Sequence, residues 1–91
     1  MIRKIVRIEN ELGLHARAAA RLVKLTSKFE SRIILSRMNR PAPVDGKSIL
    51  GIMLLAAAFG TEVEVTVEGP DEEAAMAEIL RLVEKKFNEG K

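Results

Sequence analysis

Hydrophobic and polar residues alternate most cleanly over residues 61–68, where Val63, Val65 and Val67 interleave with Glu62, Glu64, Thr66 and Glu68. A period of two with one polar face predicts a strand of an antiparallel sheet that is packed on one side and wet on the other. Residues 2–8 predict another strand, with Val6 and Ile8 on one side, and Ile33-Ile34-Leu35 a short buried one. From Arg37 to Asp45 the chain carries Pro41 and Pro43. Proline cannot donate to a ladder, so any strand there is short and at a sheet edge. Elsewhere the period lengthens to that of a helix. Over residues 16–28, Ala19, Leu22 and Val23, with Phe29 beyond them, fall near one face and Arg17, Arg21, Lys24 and Lys28 lie opposite. Asp45-Gly46-Lys47-Ser48 reads as a turn into a middle helix over 48–59, with Ser48 as its N-cap. Pro70-Asp71-Glu72-Glu73 opens a last helix, its acids suited to the positive end of the helix dipole and Lys85-Lys86 to the other end. Ala75, Ile79, Leu82, Val83 and Phe87 supply its apolar stripe.

The resulting order, βαββαβα, predicts an α+β fold. It is an open-faced two-layer sandwich, a four-stranded antiparallel sheet with three helices on one face. Ninety-one residues suit a single domain spanning 1–91. The absence of Cys excludes a disulfide framework and a thiolate metal site, and one His makes no zinc cluster, so neither metal nor cofactor is expected. No apolar run approaches 18 residues and residues 1–5 lack a signal-peptide core, which points to a cytoplasmic protein without membrane insertion. A net charge of +2 is too small to argue for nucleic acid. The strand order resembles sheets that bind RNA, but those stack bases on exposed aromatics. This chain has three Phe and neither Tyr nor Trp, and the outward face of 61–68 is acidic. Nucleic acid is not the expected partner.

The middle helix is apolar on nearly all sides, more than one buried face requires. Either it is engulfed, or Ile49, Leu50 and Met53 form an exposed docking patch, methionine being an adaptable contact. The second arrangement fits a small domain better.

Candidate chemistry gathers in Gly13-Leu14-His15-Ala16-Arg17, ahead of Ala18-Ala19-Ala20-Arg21-Leu22-Val23. His15 falls in what reads as the first turn of a helix. A lone histidine in a small domain is commonly just a surface residue. Its company here is different. A helix start offers unpaired N–H groups and positive potential to an anion, and Arg17 can clasp phosphate oxygens with two parallel bonds. An imidazole at its ordinary pKa is largely neutral and nucleophilic near neutral pH. A nucleophile in a phosphate seat suggests a histidine that carries a phosphoryl group.

Gly13-Leu14-His15-Ala16-Arg17-Ala18-Ala19 and Gly46-Lys47-Ser48-Ile49-Leu50-Gly51-Ile52-Met53, followed by Gly60, resemble the HPr family. These are the histidine-containing phosphocarriers of the phosphoenolpyruvate-dependent phosphotransferase system. The resemblance spans essentially the whole chain and implies the same sandwich, with a middle helix that ends before the alanines. It implies that His15 accepts phosphate on Nδ1 from phosphorylated Enzyme I and passes it to a IIA protein or domain for sugar uptake. Arg17 and the amides of Ala16, Arg17 and Ala18 would hold the phosphoryl group. Such a chain is a carrier, not an enzyme, and is expected as a monomer. Ser48 matches the family's regulatory serine, phosphorylated in some bacteria by HPr kinase/phosphorylase. Docking is expected over Arg21, Lys24, Lys47, Ile49, Leu50 and Met53. Two departures stand out: Ala18 replaces the family's common proline, and the 37–45 connection is longer and carries two prolines. The Ala18 form is similar to HPr-like carriers of nitrogen-related phosphorelays that transport no sugar, which is the alternative reading.

Overall fold

The computed structural model describes residues 1–90; Lys91 and the side chain of Pro41 lie outside the described part. Its strands are β1 (Ile2–Arg7), β2 (Arg32–Arg37), β3 (Arg40–Asp45) and β4 (Glu62–Glu68), and its helices α1 (Ala16–Thr26), α2 (Ile49–Leu54) and α3 (Glu72–Glu84). A short 3-10 turn, Lys86–Asn88, follows α3. The strands form one antiparallel sheet in the order β1-β4-β2-β3. This is the expected βαββαβα sandwich.

The period-two strand is central, hydrogen-bonded to β1 and β2, and its valines are buried while Glu62 and Glu68 are exposed. β3 is an edge strand, as its prolines require, and its register against β2 slips between Leu35 and Arg37. Helices pack on the face presented by Ile8, Ile33, Leu35, Val63, Val65 and Val67. Against it α1 contributes Ala18, Ala19 and Leu22, and α3 contributes Ala75, Met76, Ile79 and Val83. Phe87, fully buried, closes the core beyond α3.

Several boundaries differ from the sequence reading. α1 stops at Thr26 rather than 28, because the N–H groups of Lys28 and Phe29 bond only three residues back, to Leu25 and Thr26, at 3.1 Å each; the Thr26 hydroxyl donates to the Gly46 carbonyl at 2.7 Å. β2 is twice the expected length, and Ile34 is only half-buried because it lies on the open face. Met76 is buried where Leu82 was expected, and Leu82, Val23 and Phe29 are partly covered. Asp71 makes no side-chain cap to α3. Its carboxylate accepts from the backbone N–H groups of Glu30 (2.9 Å) and Ser31 (3.0 Å) and from the Ser31 hydroxyl, tying the start of β2 to the start of α3.

The largest difference is α2, six residues rather than twelve. It ends before the alanines, and Ala56 takes a left-handed φ of 50° that no helix continues through. Being short, it depends on its neighbours. The Leu14 N–H donates to the Ala57 carbonyl at 2.9 Å, just past the end of α2, and Thr26 reaches Gly46 just before its start. α1 and α2 therefore lie side by side, antiparallel and pinned at both ends.

Candidate functional site

Gly13 sets the approach to α1. Its φ of +66° turns the chain so that Leu14 enters the core and His15 arrives at the helix start. His15 is the N-cap of α1 rather than part of its first turn, and its ring is about one-quarter exposed. Its Nδ1 accepts from the Arg17 N–H at 3.3 Å, and its carbonyl receives the Ala19 N–H at 2.9 Å. The N–H groups of Ala16 and Ala18 lie in the first turn, where a helix has no carbonyl to offer them. Arg17 is exposed, and among the described residues its guanidinium makes no hydrogen bond or ion pair. Nδ1 thus sits at the start of α1 against the Arg17 N–H, with the Arg17 side chain exposed on the same turn.

One member of the site was missed. Glu89 Oε2 lies 2.5 Å from His15 Nε2, while Glu89 Oε1 receives the Asn10 amide at 3.0 Å. Asn10 is itself buried, and its amide also donates to the Gly13 carbonyl at 2.7 Å. The Glu89 side chain is 7% exposed. Burial is the strongest single influence on its carboxyl and pushes it upward. The hydrogen bonds from Asn10 and His15, with the charges of His15 and Arg17, outweigh burial and hold it below the ordinary glutamate value. Nothing near residue 89 announces this contact, since the partners are 74 positions apart.

The expected docking residues fall into two groups. Ile49, Leu50 and Met53 are exposed, with Leu54 extending the patch. Lys24 is exposed on α1. Arg21 and Lys47 are otherwise engaged. Arg21 Nη1 donates to the Phe87 carbonyl and Lys47 Nζ to the Phe29 carbonyl, each at 2.6 Å, so both are only part exposed. Ser48 caps α2 as expected, its Oγ accepting the Gly51 N–H at 3.0 Å. Among the described residues no group of three or more His, Cys, Asp or Glu could hold a metal ion, and no helix is long and apolar enough to cross a membrane. Phe59 is exposed at the sheet's end, but the Arg7 guanidinium covers its ring at 5.3 Å.

A family model described as the PTS HPr component phosphorylation site matches residues 2–85. The chain belongs to the HPr family. A curated HPr phosphocarrier from Treponema pallidum is 48% identical over 89 residues, covering 98% of this chain and 99% of the relative. The crystal structure of an HPr from Thermoanaerobacter tengcongensis superposes with a TM-score of 0.91 at 43% identity, covering 98% of each chain. A crystal structure of an HPr dimer from the same organism matches with a TM-score of 0.75 at 41% identity, over 96% of this chain and 98% of that one. The coarse activity follows with the family: an HPr is a phosphocarrier of the phosphotransferase system.

Proposed function

We propose that this chain, as one carrier domain over residues 1–91, accepts a phosphoryl group on His15 Nδ1 from phosphorylated Enzyme I. It then hands the group to a IIA protein or domain that serves sugar uptake. The observation that carries this reading is the N-cap position of His15, with Nδ1 against the Arg17 N–H and the Arg17 guanidinium free. In-line attack by Nδ1 makes a phosphorus–nitrogen bond while the donor's bond to phosphorus breaks and its electron pair leaves with the donor. The Arg17 N–H that now meets Nδ1 then meets a phosphoryl oxygen, together with the amides of Ala16 and Ala18. Charge and position do the work, as is usual for phosphoryl transfer. The group is passed on unchanged, so the chain acts as a substrate of its partners rather than as an enzyme, needs no metal or cofactor of its own, and works as a monomer in the cytoplasm. Ile49, Leu50 and Met53 suit a partner surface with an apolar centre, and the exposed Lys24 on α1 suits acidic groups on such a partner.

Ala18 supports a second reading. It stands where the family commonly has proline, as in HPr-like carriers of nitrogen-related phosphorelays. The IIA partner distinguishes the two.

Incubation with Enzyme I and radiolabelled phosphoenolpyruvate tests the carrier role. Wild type takes up one acid-labile, base-stable phosphoryl group, and folded His15→Ala takes up none. Undiminished labelling of His15→Ala would remove His15 from the role.

A further inference from the structure

We infer that Glu89 is a positioning residue for His15: its carboxylate holds the proton on Nε2, leaving the Nδ1 lone pair to react. This deepens the carrier reading and rests on it. The geometry leaves one tautomer that satisfies both ring nitrogens. Nδ1 faces an N–H donor, that of Arg17, and so must accept. Nε2 faces Glu89 Oε2 at 2.5 Å, and an ionised carboxylate only accepts, so Nε2 must donate. The carboxylate is held as firmly as the ring. Oε1 is bound by the buried Asn10 amide, which is fixed in turn by the Gly13 carbonyl two residues before His15.

The backbone shows how Glu89 is delivered. Lys86, Phe87 and Asn88 all have φ between 54° and 62°, a conformation disfavoured for Lys and Phe and tolerated best by Asn among non-glycine residues. Two contacts offset that strain: Phe87 is fully buried, and its carbonyl accepts from Arg21 at 2.6 Å. The turn folds the chain back over the start of α1 and aims residue 89 at the ring.

Both halves of the carrier cycle depend on that proton. On loading, Nδ1 forms the bond to phosphorus as the donor's bond breaks, and the ring, still protonated at Nε2, gains positive charge that the Glu89 carboxylate offsets. On unloading, the bond between phosphorus and Nδ1 breaks and its electron pair returns to Nδ1. With Nε2 protonated the leaving ring is neutral imidazole. Without that proton it would be imidazolate, a far poorer leaving group.

The test uses full-length protein labelled with 15N in histidine, as wild type, Glu89→Gln and Glu89→Asp, each checked for native amide spectra. Imidazole 15N shifts of the neutral ring report the tautomer directly. Wild type and Glu89→Asp should show Nε2–H as the dominant form, and Glu89→Gln a measurable Nδ1–H population. Transfer from phosphorylated protein to a IIA acceptor should slow about 10- to 100-fold in Glu89→Gln, the range for a lost hydrogen bond to a charged group, and less in Glu89→Asp. Wild-type ring shifts and transfer rates in Glu89→Gln would overturn the assignment, as would equal changes in the Gln and Asp proteins. The tautomer is read without phosphate, so a chain that Enzyme I failed to label would defeat the carrier reading and leave this measurement standing.

Discussion

Gly13 and Ala57 pass so closely that a Cβ on Gly13 would lie 2.5 Å from the Ala57 carbonyl oxygen. The same hypothetical atom would be 2.8 Å from Ala58 Cα, and φ at Gly13 is +66°. Both neighbours are backbone and cannot swing aside. Gly13→Ala should therefore destabilise the fold by about 2 kcal/mol or more, read as a lower thermal midpoint. The same displacement moves His15, so labelling by Enzyme I should slow as well. An unchanged midpoint would mean that the two segments separate freely.

Arg17→Lys keeps the charge and loses the planar fork. The guanidinium has no structural partner among the described residues, so the thermal midpoint should hold. Transfer through His15 should fall about tenfold or more, the equivalent of one charge-assisted hydrogen bond. Stopped-flow transfer rates equal to wild type would remove Arg17 from the phosphate seat.

Ser48 caps a helix whose flank is the exposed patch of Ile49, Leu50 and Met53. Ser48→Ala should lose only the cap, about 0.5–2 kcal/mol, with transfer intact. Ser48→Asp, a partial mimic of a phosphate carrying about −1.5 to −2 charge, should keep the helix, because the N-terminal dipole accepts negative charge. Calorimetric titration with Enzyme I should then show weaker binding at an unchanged thermal midpoint. Normal binding by the Asp variant would leave Ser48 with a capping role alone.

Asp71 links stability to acid pH. The hydrogen bond from the Ser31 hydroxyl, reinforced by that from the Glu30 N–H, holds its carboxyl below the ordinary 3.8. The folded chain thus releases this proton more readily than the unfolded chain. The stabilising contribution is complete above the ordinary carboxylate range and fades as pH falls through the depressed value. Thermal midpoints of wild type should drop on acidification below about pH 4, and Asp71→Asn should flatten that drop. Identical acid limbs for the two proteins would show that the cluster does not report on folding.

Much of this arrangement was legible because it is local. The valines of β4 declare a half-wet strand by period alone, Ser48 declares a cap, and the prolines of β3 declare an edge. His15 and Arg17 stand out because a helix start and two side chains of matched chemistry share five residues. What stayed hidden depends on distant partners. Glu89 reaches His15 through three left-handed residues with no glycine among them, so no turn signal marked the fold-back. Arg21 and Lys47 look like free cations in sequence, yet each meets a backbone carbonyl whose position only the packed fold decides. The stop of α2 was legible by family likeness alone, since alanines at 56–58 are good helix formers and the chain turns left-handed at Ala56 despite them.

The double pinning of α1 and α2 has a consequence for cooperativity. A helix of six residues lies well below the length that sustains itself in water. α2 exists because Gly46 and Ala57 are held by residues at either end of α1, and it cannot fray as a separate piece while those bonds stand. The two helices are one unit of local unfolding, a single plate with the reactive imidazole at one corner and the capping serine near the opposite one. α1 has eleven residues and so spans about 16 Å. That length separates the His15 end of the plate from its Ser48 end, and a partner proposed to dock on this face would meet the two across it.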